Sequence, residues 1–234
     1  MSMLSESRRS EPKQVEVEIH DPSGDLALSG TLHLPNHLSG FVLFAHGSGS
    51  SKQSSRNQKV AKELAEHRIG SLLFDLLTPS EEAERKNIFN IGMLAARLVM
   101  ATGWLRLQSF YQGEPIAYFG ASTGSAAALM AAYQEGERIS GIVSRGGRPD
   151  LVPNAMLMKI QAPVLLLVGG LDAHVLELNR KTAHVLPHSK LSVVEGATHL
   201  FEESGAMEKI STEALSWFQK CFREKELEKL INLQ

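Results

Sequence analysis

The chain is expected to fold as an α/β protein, with a mostly parallel central sheet of about eight strands and helices on both faces. Three observations lead there. Apolar runs of strand length alternate with segments of helical pattern along nearly the whole chain. Several of those runs, such as Phe41 to Ala45, are uninterrupted rather than alternating, as strands covered on both faces are. The loops that follow the strand ends carry glycines and reactive side chains, and in open parallel sheets ligands bind outside those ends.

The elements follow in order. Val15 to Ile19 and Leu26 to Leu34 alternate with period two around the turn residues Asp21 to Asp25, which predicts an opening hairpin. After the strand Phe41 to Ala45 come a helix near Ser55 to His67, a strand Ser71 to Asp75 and a helix near Asn90 to Leu107. The strand Pro115 to Phe119 leads into the alanine-rich helix Thr123 to Tyr133, then the strand Ile139 to Ser144. Strand Val164 to Val168, helix Val175 to Val185, strand Lys190 to Val194 and helix Ala206 to Lys229 complete the pattern. Parallel strands joined through helices require right-handed crossovers. Residues 1–13 are polar and read as a flexible tail, leaving 14–234 as one domain.

Gly120-Ala121-Ser122-Thr123-Gly124 lies at a strand-to-helix corner. Glycines two residues either side of Ser122 permit a turn sharp enough to push its hydroxyl outward while neighbouring chain passes close by. The spacing by itself is common, and a plain glycine-bounded turn with Ser122 as helix cap would show it too. Two later segments decide between these readings. The strand Val164 to Val168 ends in Gly169-Gly170-Leu171-Asp172, and the strand Lys190 to Val194 ends in a loop presenting His199. A serine hydroxyl is a weak nucleophile at neutral pH; it needs a base to take its proton and an acid to orient that base. Ser122, His199 and Asp172 are therefore the expected catalytic residues.

The oxyanion of the tetrahedral intermediate requires hydrogen-bond donors. The Thr123 N–H, directly after the serine and at a helix N-terminus, is one candidate. His46-Gly47-Ser48-Gly49-Ser50 follows the strand Phe41 to Ala45, and Ser48, with Gly49 as alternative, is the expected second donor. Arg145 and Arg148 follow the next strand, and Arg56 lies in the loop after His46. They are candidates for binding a substrate carboxylate or phosphate. The competing reading pairs Arg145 and Arg148 with Asp150, Asp75 or Glu202 to brace the loops. His46 reads as structural, and His174 as a weaker rival to His199.

Bulk properties exclude other classes. With 24 Lys and Arg against 26 acids the formal charge is −2, which offers no footprint for nucleic acid or anionic membrane. No apolar run is long enough to span a bilayer and no export signal is read, so the expected location is cytoplasmic. The single cysteine, Cys221, sits in a helical segment suited to core packing. His184 and His188 straddle Pro187, which breaks the register a metal pair would need, so neither metal nor cofactor is expected. Leu227, Leu230 and Ile231 leave a dimer contact open; monomer and homodimer are both compatible.

The strand-end His46-Gly47-Ser48-Gly49, the elbow Gly120 to Gly124, Asp172 and His199 together resemble the α/β-hydrolase superfamily over nearly the whole chain. The size and layout are similar to its dienelactone-hydrolase-like group, which implies the α/β-hydrolase fold without a lid domain: only about 18 residues separate Ser144 from Ala162. Dienelactone hydrolases proper use cysteine at the elbow, whereas this chain has Ser122, which suits general carboxylic-ester hydrolysis. The resemblance implies a small-molecule ester substrate. The alternatives are a ligand-binding or scaffold protein on the same fold, and an acyltransferase or peptidase using the same residues.

Overall fold

The structure is a computed structural model that describes residues 12–232. Its strands are β1 (Lys13–His20), β2 (Ala27–Leu34), β3 (Gly40–Ala45), β4 (Ile69–Phe74), β5 (Ile116–Ala121), β6 (Ile139–Arg145), β7 (Val164–Gly169) and β8 (Ser189–Val194). The helices are α1 (Ser55–Glu66), α2 (Pro79–Glu82), α3 (Arg85–Ile88), α4 (Ile91–Arg106), α5 (Thr123–Glu135), α6 (Asn154–Leu157), α7 (Ala173–Ala183) and α8 (Ala206–Asn232). All the expected strands and long helices are present within a few residues of their expected limits. Residues 1–11 of the expected tail lie outside the described residues, and Lys13 already belongs to β1.

The eight strands form one sheet in the order β1-β2-β4-β3-β5-β6-β7-β8. β1 and β2 make the opening hairpin, and β2 runs antiparallel to β4. From β4 through β3, β5, β6 and β7 to β8 every pairing is parallel. The carboxyl ends of these strands therefore share one edge, and β5, with Ser122 directly after it, lies between β3 and β6.

Burial explains why the central strands read as unbroken apolar runs. Every residue of β3, β4, β5, β6 and β7 is buried, because helices cover both faces. On one face α4 and α5 pack over residues such as Leu43, Leu72, Tyr118 and Leu166. On the other, α1 and α8 cover Val42, Phe44, Phe119, Val143 and Leu167. Cys221 is part of that second layer: it is buried, and burial pushes its thiol up to about 12. Among the described residues no lid domain stands over the sheet edge. Between β6 and β7 there is only a short 3-10 turn and the single-turn α6.

Candidate active site

The corner after β5 is built on close backbone approaches, one within the turn and one to the end of β3. A Cβ on Gly124 would stand 2.6 Å from the carbonyl carbon of Ala45, and one on Gly120 would stand 2.7 Å from the Gly124 oxygen. Only glycine lets β3, β5 and α5 approach this closely. Ser122 itself holds φ 51° and ψ −119°, a conformation side chains rarely adopt. The surroundings hold it there: its N–H donates to the Arg145 carbonyl at 3.1 Å, and its own carbonyl accepts from Ser125 and Arg148 N–H groups at 3.1 and 3.2 Å. Such strain costs on the order of 1–3 kcal/mol. Ser122→Gly is therefore expected to be more stable than Ser122→Ala by about 1 kcal/mol, reversing the usual penalty for glycine. Urea unfolding midpoints of the two variants check this.

Asp172 occupies the cap position of α7 but does not cap it. Its Oδ2 lies 2.6 Å from His199 Nδ1, with the carboxylate largely buried and the imidazole 41% exposed. Two backbone bonds lock the loops carrying this pair: Gly170 N–H to Val194 O and Leu171 N–H to Ala197 O, both 2.9 Å. The histidine loop is pinned from within as well. Glu203 Oε1 accepts from Thr198 N–H at 3.1 Å and from its hydroxyl at 2.7 Å, and Phe201, at φ 55°, is buried in the α1/α8 layer. The His199 ring reaches over Gly146: a Cβ there would stand 3.5 Å from His199 Cε1. Gly146 follows Arg145, which pairs with Ala121 beside the serine. The Asp172–His199 bond is thus formed next to the corner, whereas Ser122 Oγ makes no hydrogen bond among the described residues.

The loop after β3 is anchored by His46. Its Nε2 accepts the Leu76 N–H at 3.1 Å, which leaves the proton on Nδ1, 3.0 Å from the Gly47 carbonyl it donates to. Burial lowers its pKa, in keeping with this neutral tautomer. Thr123 N–H lies in the first turn of α5, where no intrahelical acceptor exists. Ser48 N–H is differently placed from what the sequence suggests: it donates to Thr123 Oγ1 at 2.9 Å, so the Thr123 hydroxyl occupies this donor. Gly49, at φ 68°, has open space around it. Gly47, which the sequence reading passed over, comes up against the serine; a Cβ on it would stand 3.0 Å from Ser122 Cβ. The motif itself contained the signal, since His46-Gly47 is where the strand ends.

A recess opens beside this loop, with apolar walls from Leu76, Leu77, Ile88 and Leu94 and with Asp75 and Glu82 as its charged groups. The three arginines do not converge on it. Arg148 closes a two-pronged pair with Asp150, Nε to Oδ1 at 2.8 Å and NH2 to Oδ2 at 2.7 Å. Arg56 donates to Glu202 at 3.2 Å. Arg145 is buried, and among the described residues only Asn57 Oδ1 is within its reach, at 3.5 Å. Bracing of loops thus describes Arg148, while Arg145 meets none of the acidic partners that the bracing reading gave it.

Comparisons with known proteins agree with this architecture. A family model described as an alpha/beta hydrolase domain matches residues 39–223. A dienelactone hydrolase from Anabaena variabilis is 43% identical and superposes with a TM-score of 0.86, covering 90% of this chain and 99% of that one. Est1E from Butyrivibrio proteoclasticus shares the fold at 14% identity, with a TM-score of 0.73 over 89% of this chain and 99% of its own. Putative phosphoribosyl transferases of Mycobacterium tuberculosis are 47% identical over 209 residues, 89% of this chain. The chain spans about half of their length, 47%. None of the helices among the described residues is long and apolar enough to cross a membrane. With its strand order, its serine corner and a matched domain running from β3 into α8, the chain belongs to the α/β-hydrolase superfamily, in the dienelactone-hydrolase-like group.

Proposed function

We propose that the protein is a cofactor-independent serine hydrolase that cleaves a small, uncharged carboxylic ester through an acyl-enzyme on Ser122. The observation that carries this is the 2.6 Å bond between Asp172 Oδ2 and His199 Nδ1, formed beside a strained serine at the end of the central strand. Ser122 Oγ attacks the ester carbonyl carbon while its proton passes to His199 Nε2, and Asp172 holds the imidazole in the tautomer that can accept it. The Thr123 N–H and the loop after β3 at Gly49, the Ser48 N–H being engaged by the Thr123 hydroxyl, receive the oxyanion. His199 then protonates the departing alcohol. A water, deprotonated by the same imidazole, attacks the acyl carbon and frees Ser122 and the carboxylic acid.

Preference for an uncharged ester rests on the recess, whose charged groups are Asp75 and Glu82, and on the arginines, which are engaged or buried elsewhere. Cys221 supports serine over thiol chemistry, because its buried thiol stays protonated at neutral pH. The phosphoribosyl-transfer activity named for the mycobacterial relatives belongs to chains about twice as long, and the residues gathered here favour acyl chemistry.

A fluorophosphonate probe tests the assignment. Stoichiometric labelling of the wild type and none of Ser122→Ala is the expected result, with p-nitrophenyl acetate turned over far faster than an ester bearing a carboxylate. Arg148→Ala should leave that preference unchanged. A protein that takes no label and leaves the acetate intact would support the binding or scaffold reading.

A further inference from the structure

On the sheet face away from the recess, packing has buried a charge that no acid balances. Arg145 ends β6 two residues after Val143, so its side chain enters the layer covered by α1 and α8. It is only 8% exposed. Among the described residues no carboxylate pairs with it: NH2 reaches Asn57 Oδ1 at 3.5 Å, Nε has no partner, and the guanidinium lies 6.0 Å from the centre of the Phe201 ring. Burial, and then the like charge of Arg56, pull its pKa down to about 10, which still leaves it cationic at neutral pH.

Arg56 adds to the imbalance. Its Nε is also buried without a partner, and its NH1 meets Glu202, whose side chain is 70% exposed. Arg56 belongs to the first turn of α1, a twelve-residue helix with no acid in that turn, so the positive end of the helix dipole points the same way. Of these two guanidiniums only Arg56 meets a carboxylate, and that one, Glu202, is solvent-exposed. Taking a charge out of water with no counter-charge is among the costliest arrangements a fold can hold.

We propose that Arg56, Arg145 and the first turn of α1 form an anion site, separate from the ester recess, that takes a small oxyanion such as inorganic phosphate. Each guanidinium has an unused Nε–H, and planar donors of this kind suit a ligand with several oxygens better than a spherical ion. The site lies directly behind the histidine loop, since Phe201 and Glu202 are its neighbours on that loop.

Phosphate titration followed by calorimetric unfolding, at ionic strength held constant with chloride, tests this. A ligand that binds only the folded state raises Tm steadily with its concentration. The wild type should show that rise and Arg145→Met should lose it. Without phosphate, Arg145→Met should be at least as stable as the wild type, because an apolar chain replaces an unpaired buried charge. Glu202→Gln removes a competing surface carboxylate and should tighten phosphate binding roughly two- to five-fold. A wild-type Tm indifferent to exchanging chloride for phosphate would overturn the proposal, as would an equal rise in Arg145→Met. Should Arg145→Met fail to fold, an unchanged phosphate affinity in Glu202→Gln overturns it instead.

Discussion

Ser122→Ala is expected to lower kcat/KM for p-nitrophenyl acetate by about 10⁴- to 10⁶-fold, the range seen when a serine hydrolase loses its nucleophile. At about 1.4 kcal/mol per decade this amounts to roughly 5–8 kcal/mol of transition-state stabilisation. The loss should fall on kcat, because removing one hydroxyl leaves the recess of Leu76, Leu77, Ile88 and Leu94 intact. It should not be complete. The Thr123 N–H and the loop after β3 remain in place and can still stabilise an oxyanion formed by attack of water. Alanine retains the Cβ and hence the strained backbone at φ 51°, so its unfolding midpoint should match that of the wild type. A fall of less than tenfold in a folded variant would remove Ser122 from the nucleophile role.

Asp172→Asn is expected to cost about 10⁴-fold in kcat at neutral pH, with KM little changed. The carboxylate accepts from His199 Nδ1 across 2.6 Å, which leaves Nε2 free to accept the serine proton. An amide of the same shape can turn its NH2 toward Nδ1, and the imidazole proton then moves to Nε2, where it blocks that transfer. The side chain is largely buried and carries no cap bond to α7, so the substitution should disturb orientation far more than folding. Steady-state kinetics with a circular dichroism control separate these effects. A variant that keeps wild-type kcat would mean that the pair is structural.

Both expectations rest on features with different degrees of visibility in the sequence. The serine corner was legible because Gly120, Ser122 and Gly124 fall within five residues at a strand-to-helix junction, although the carbonyls that forbid a Cβ on Gly124 belong to Ala45 and His46 at the end of β3. Asp172 and His199 were legible because each follows a strand, Val164 to Val168 and Lys190 to Val194, and neighbouring parallel strands end on one edge. The single-turn helices α2, α3 and α6 were not legible. Four residues carry too little periodicity, and α2 depends on the capping box of Thr78 and Glu81. The Thr123 hydroxyl that takes the Ser48 N–H and the Glu203 carboxylate that gathers the Thr198 turn were also missed. Their partners follow from how loops fall against each other, which no residue pattern records.

The arginines show the limit most clearly. Three guanidiniums near one strand edge looked interchangeable as anion binders, yet Arg148 is closed by Asp150 two residues away, Arg56 by Glu202 from a distant loop, and Arg145 by nothing acidic. By itself, the amino-acid sequence determined the order of strands and helices along the chain and the strand-end positions of Ser122, Asp172 and His199, since these depend on hydrophobic pattern and chain direction. Only the tertiary structure decided which charges are spent on neighbours and which one is buried unpaired. A long flexible cation binds whichever carboxylate packing brings within reach, and packing is a property of the whole fold.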